Sequence, residues 1–128
     1  MMQLTGQFEL DRGGAVTLVL RNEDNIPLYV FVPHGRDYGV RVEVLSGPCA
    51  TTSLGSEPEA GLVGETTLQP GEAMRHEYPL SSWIRRTGDG PCVVRLSVDI
   101  ETATESLRVN RARKRAVVTI ANEVTLTS

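Results

Sequence analysis

Leu68-Gln69-Pro70-Gly71-Glu72 decides the reading of this chain, because of what stands on either side of it. After it, Met74, His76, Tyr78 and Leu80 are apolar or aromatic at every second position; before it lie several short alternating runs. A Pro-Gly pair between two period-two segments is a turn joining strands, since Pro pre-sets its own φ and Gly accepts the positive φ that follows. The same rhythm runs outward. Val16, Leu18 and Leu20 share one phase, with Ala15, Thr17, Val19 and Arg21 on the other. Leu28, Val30 and Val32 alternate with Tyr29 and Phe31, and Val40, Val42 and Val44 with Arg41 and Glu43. Cys92, Val94, Leu96, Val98 and Ile100 make the longest strict alternation, against Val93, Arg95, Ser97 and Asp99. In the last run Val118, Ile120, Val124 and Leu126 share a phase that Asn122 interrupts, which predicts a bulge or kink near Ala121-Asn122.

Between these runs stand turn signals. Gln3 to Leu10 is a first strand, closed by Asp11-Arg12-Gly13-Gly14, and Asn22-Glu23-Asp24-Asn25 is a polar turn. His34 to Gly39 reads as a loop. Ser46 to Gly64 loses all periodicity, although a short edge strand near Thr51 to Leu54 fits inside it. Ser81 to Arg86 suits a helical or 3₁₀ turn with Ser81 as its N-cap, and Glu101 to Arg115 a long hairpin loop or two extended strand ends. No segment sustains a 3.6-residue period. Short strands at turn spacings of roughly 8–12 residues predict an all-β antiparallel sandwich of two packed sheets, with a closed barrel second. Val16, Leu18, Leu20, Val30, Val42, Val94, Leu96 and Val98 are the expected core.

The bulk properties agree. At 128 residues the chain suits a single domain, 1–128, and its 40% hydrophobic and 23% charged content is that of a globular protein. A net charge of -3 argues against nucleic acid as a main partner. No apolar run approaches the roughly 20 residues of a membrane-spanning helix. The N-terminal residues lack a basic and an apolar region of a secretory signal, so the chain is expected to be cytoplasmic, or periplasmic or secreted if a signal has been removed.

The series Ala15-Val-Thr-Leu-Val-Leu-Arg-Asn22, Tyr29-Val30-Phe31, Leu68-Gln69-Pro70-Gly71-Glu72, Leu80-Ser81-Ser82-Trp83 and Ala121-Asn122-Glu123-Val124-Thr125-Leu126 resembles immunoglobulin-like β-sandwich domains of bacteria and fungi. These carry a Leu-x-Pro-Gly-Glu turn and occur beside secreted deuterolysin-like metallopeptidase domains and in many lipoproteins. A weaker likeness is to the intracellular subtilisin-inhibitor family. The likeness spans about residues 15–126 and implies an immunoglobulin-like sandwich of about 7–9 strands, acting as an accessory domain. Where that family has an aromatic two residues after the glycine, this chain has Cys92 after Gly90. There is no His-Glu-x-x-His, so only the accessory part of the family applies.

Candidate chemistry is sparse. His76 is in phase with Met74 and Tyr78 and reads as structural; His34 sits in a loop with Arg36, Asp37 and Tyr38, which is either solvated or part of a binding surface. Trp83 is expected to pack over one end of the sandwich. For Cys49 and Cys92 three states are open: a buried free thiol at Cys92, a disulfide bridging facing sheets, or a reactive nucleophile. Both are expected to be reduced, since the strand phase of Cys92 buries it. Arg108, Arg111, Arg113, Lys114 and Arg115 crowd five cations into eight residues, as a solvated tip or as a contact for an acidic partner. The acidic residues show no calcium-loop spacing. No cofactor is expected.

The expected function is a non-enzymatic module working through protein–protein contacts. Its candidate partner-binding residues are Arg108, Arg111, Arg113, Lys114, Arg115, His34, Arg36 and Tyr38. A proteinase inhibitor presenting residues 46–64 is the alternative, and an enzyme ranks third, for want of a visible triad, metal cluster or phosphate loop.

Overall fold

The computed structural model describes residues 3–11, 15–32, 40–51, 65–78, 80, 83–112 and 114–127. Ten strands lie among them: β1 (Leu4–Leu10), β2 (Val16–Asn22), β3 (Leu28–Phe31), β4 (Val40–Ser46), β5 (Cys49–Thr51), β6 (Glu65–Leu68), β7 (Ala73–Tyr78), β8 (Ile84–Arg86), β9 (Cys92–Ala103) and β10 (Ala116–Leu126). All pairings are antiparallel. One sheet runs β1-β2-β7; the second runs β10-β9-β3-β6, with β4 also on β9; β5 and β8 form a short ribbon. The fold is an antiparallel all-β sandwich.

The strand phases read from the sequence are the phases that bury. Val16, Leu18, Leu20, Val30, Val94, Leu96 and Val98 are completely buried, and Phe8, Leu28, Leu68, Tyr78, Trp83, Ile100, Ile120 and Val124 complete one core with them. Val42 is half-buried instead: β4 packs against the core from the margin of its sheet.

The count exceeds the expected seven to nine because Ile84–Arg86, read from the sequence as part of a helical turn, is a strand that forms a ribbon with Cys49–Thr51. β3 and β4 both lie along the same edge of β9, with Phe31 opposite Glu101 and Val40 opposite Val98. Residues 33–39, which connect them, lie outside the described residues. The ribbon replaces two local expectations. Trp83 N–H donates to the Leu80 carbonyl at 2.9 Å, while Ser81, the expected N-cap, lies outside the described residues; Ile84–Arg86 that follows is strand and pairs with Cys49–Thr51. The edge strand expected near Thr51 to Leu54 therefore begins earlier, at Cys49; residues 52–54 lie outside the described residues.

Two asparagines join the layers. Asn22 is fully buried at the end of β2. Its Nδ2 donates to the carbonyls of Ile26 (2.8 Å) and Leu68 (2.9 Å), and its Oδ1 accepts from Asp24 N–H (2.8 Å). Its backbone N–H and C=O engage Glu72 O and Gly71 N. The Pro-Gly turn is thereby fastened to β2; Glu72 N–H closes it on Gln69 O, and Gly71 at φ 79 occupies the left-handed position a type II turn requires. Asn122 causes no bulge: β9 and β10 stay in continuous register from Cys92↔Leu126 to Thr102↔Ala116. Its amide instead reaches Phe8 in the other sheet, accepting from Phe8 N–H (2.6 Å) and donating to Phe8 O (2.9 Å).

The cysteines are not reduced thiols. Cys49 and Cys92 form a disulfide, their Cα atoms 6.3 Å apart. It ties the β5–β8 ribbon to the start of β9, where Gly47 (φ 97) lies so close to Pro91 and Cys92 that a Cβ would strike their backbone. The strand phase of Cys92 did indicate burial, but burial serves a half-cystine as well as a free thiol.

Candidate functional site

At the end of β9 away from the disulfide, eleven residues along the strand and so roughly 36 Å off, the chain leaves the sheet at Ala103 and returns at Ala116. The intervening loop folds back over the outer face of β3 and β6. Tyr29 stands opposite Thr67 and Phe31 opposite Glu65, all in the phase facing away from the core. Between that floor and the loop lies an open cleft of about 1040 Å³, lined by Tyr29, Phe31, Glu65, Thr67, Ser106, Leu107, Arg108 and Arg111.

Glu65 holds the loop in place. Its Oε2 accepts from Ser106 Oγ–H (2.7 Å) and its Oε1 from Leu107 N–H (2.9 Å). The loop also closes on itself: Val109 and Asn110 N–H donate to Ser106 O, Ala112 N–H to Asn110 Oδ1, and Asn110 Nδ2 to Glu105 at 2.7 Å. A loop with its backbone groups satisfied this way is largely preordered, which lowers the entropy cost of binding. It displays Leu107, 41% exposed, and Val109, 84% exposed.

The basic run is divided by the structure. Arg108 and Arg111 are exposed and line the cleft, Lys114 is exposed beyond it, and Arg115 is paired to Glu101 on β9 at 2.7 Å. Arg113, His34, Arg36 and Tyr38 lie outside the described residues. Among the described residues the guanidinium groups of Arg85, Arg108 and Arg111 have no hydrogen-bond or ion-pair partner, whereas those of Arg21, Arg41, Arg75, Arg86, Arg95 and Arg115 do.

The neighbouring outer face of β4, β9 and β10 is different in kind. Arg95 pairs with both Glu43 (3.8 Å) and Glu123 (3.3 Å), and Arg41 with Asp99 (3.1 Å), which also accepts from Thr119 Oγ1–H at 2.6 Å. These bonds, that from Arg41 first, hold the Asp99 carboxyl below the usual carboxylate range. Such exposed pairs contribute little to stability, but here each named arginine has an acidic partner, whereas Arg108 and Arg111 in the cleft have none among the described residues. His76, half-buried on β7, sets its ring edge-on to Tyr78 with centroids 4.6 Å apart, and Tyr78 lies 5.3 Å from Trp83. Burial pushes the Tyr78 hydroxyl up to about 12.

Among the described residues no group of three or more His, Cys, Asp or Glu could hold a metal ion, and no helix is long and apolar enough to cross a membrane. Tyr29, Phe31, Glu65, Thr67, Ser106 and Leu107 were not among the expected partner-binding residues. One signal was present: two aromatics on the wet phase of a strand. Comparison of the chain with protein-family models, curated proteins and solved structures finds no match.

Proposed function

We propose that this chain is an immunoglobulin-like, non-enzymatic module that works by protein–protein contact through the cleft over β3 and β6. The observation carrying this reading is the cleft's composition: Tyr29 and Phe31 beneath, Arg108 and Arg111 at the rim, and Leu107 beside them. Aromatic residues and arginine are the types enriched where proteins bind one another, because they offer large rigid surfaces with one polar handle. The immunoglobulin-like class is supported by the pairing of β2 with β7 in one sheet and of β9 with both β10 and β3 in the other. The Cys49–Cys92 bridge supports work in an oxidising compartment, hence the periplasmic or secreted alternative over the cytoplasmic one.

A photo-crosslinking amino acid at position 107 tests the binding reading, with position 117 as control. Val117 is 65% exposed on β10 and outside the cleft. The reading expects a discrete protein adduct from position 107 and none from 117; no adduct at 107, or equal adducts at both, contradicts it.

A second reading, a proteinase inhibitor presenting residues 46–64, is favoured by one observation. The segment is fastened near both ends, at Cys49 by the disulfide and just past Gly64 by Glu65; residues 52–64 themselves lie outside the described residues. Inhibition of a proteinase panel, lost when the segment is replaced by Gly-Ser, tests it.

A further inference from the structure

We infer that the cleft over β3 and β6 takes an acidic, aromatic-containing peptide segment of a partner protein, its carboxylates meeting Arg108 and Arg111 and its apolar side chains lying on Tyr29 and Phe31. This rests on the protein-binding reading above and commits it to one chemistry.

Charge complementarity selects the occupant. Six of the nine described arginines are already engaged, and two of the three that are not line this one cleft. The carboxylate that shares the cleft with them, Glu65, is turned to the loop: Ser106 Oγ–H and Leu107 N–H donate to its two oxygens. Planar guanidinium groups bind carboxylates through paired N–H donors, a geometry Lys does not reproduce. The apolar component follows from the lining, where Tyr29 and Phe31 stand two residues apart on one strand in the same phase. An extended peptide, with alternate side chains about 7 Å apart, matches the strand repeat beneath. The pinned loop supplies a preordered wall.

The test is fluorescence anisotropy with three labelled peptides of equal length, Glu/Tyr, Gln/Tyr and Lys/Tyr repeats. The protein is used as wild type, as Arg108→Ser/Arg111→Ser and as Arg85→Ser. The last removes an equally unpaired arginine on β8, outside the cleft. The inference expects the Glu/Tyr peptide to bind wild type and Arg85→Ser alike, to weaken tenfold or more with the double variant, and to weaken with added salt. Arg108→Lys/Arg111→Lys should recover only part of the loss. Equal weakening by Arg85→Ser, no weakening in the double variant, or no binding of the Glu/Tyr peptide overturns it. If the Gln/Tyr peptide binds as tightly as Glu/Tyr and the loss on Arg108→Ser/Arg111→Ser is absent, the acidic occupant is wrong while the protein-binding reading stands. If position 107 also gives no adduct, both fall.

Discussion

The side-chain amide of Asn122 pairs with both main-chain groups of Phe8, accepting from its N–H at 2.6 Å and donating to its C=O at 2.9 Å across 114 residues of chain. One asparagine thus does for β1 what a neighbouring strand would do, and links the two sheets at the outer edge of β1. An uncovered strand edge invites pairing with other chains, so this contact also guards against edge-to-edge association.

Asn122→Ala removes a donor and an acceptor together and leaves both Phe8 groups unpaired in a part-buried place. The expected cost is about 2 kcal/mol, each orphaned polar group being worth roughly 1–3 kcal/mol when removed from its partner. Asn122→Asp keeps the acceptor but sets a carboxylate against the Phe8 carbonyl, and should cost at least as much at neutral pH. Urea denaturation checks both; a change under about 0.5 kcal/mol would show that the amide bridge is not a stabilising contact.

The disulfide closes a loop of 43 residues. The chain-entropy model assigns such a loop roughly 3–4 kcal/mol, through restriction of the unfolded chain. Cys49→Ala/Cys92→Ala should therefore lower the denaturation midpoint clearly while the β-sheet circular dichroism persists at low temperature. The native protein should take up no thiol reagent at Cys92, which is fully buried, and its intact mass should rise by two hydrogens on reduction. Rapid native labelling of either cysteine contradicts the bridge.

Tyr78 gives a pH signature. Its hydroxyl is raised by burial from an ordinary 10 to about 12, so the folded state holds its proton where the unfolded state has lost it. A raised folded value means stability that is complete below pH 10 and declines as pH rises toward 12, by up to roughly 2 kcal/mol. Tyr78 should resist ionisation in an ultraviolet titration until the fold gives way. Full ionisation of the chain's three tyrosines near pH 10 with the fold intact contradicts this environment.

Leu96→Ala, in the middle of β9 and fully buried, should cost about 2–5 kcal/mol through lost burial and the cavity left behind. Arg115→Ser, by contrast, breaks an exposed pair with Glu101 and should change stability by under about 1 kcal/mol. The contrast, measured by chemical denaturation of the two variants side by side, checks that β9 is the centre of the core and the basic run is surface.

What was legible in the sequence follows physical range. The phase of β9 is written in nine consecutive residues, Cys92 to Ile100, because burial on a strand has a period of two. Asn22 and Asn122 were not legible: one looked like part of a turn and the other like a flaw in a strand. Their partners, Leu68 and Phe8, lie 46 and 114 residues away. The cysteines show the same limit, since strand phase reports burial and says nothing of what stands opposite. The basic run was visible as a cluster, but its division was not. That depends on Glu65 reaching Ser106 over 41 residues, and on β3 lying beside the last residues of β9, so that Tyr29 and Phe31 come beneath Arg108.

The inferred meeting place with an acidic segment is the face formed by β3, β6 and residues 104–112. Amide chemical-shift mapping of ¹⁵N-labelled protein, titrated with the Glu/Tyr peptide, tests it most directly. The amides of Tyr29, Phe31, Thr67, Leu107 and Arg108 should shift together and saturate with one dissociation constant, while those of Glu43, Arg95 and Glu123 on the ion-paired face stay still. Shifts confined to that ion-paired face or to the free edge of β7, with the cleft amides unmoved, would contradict it.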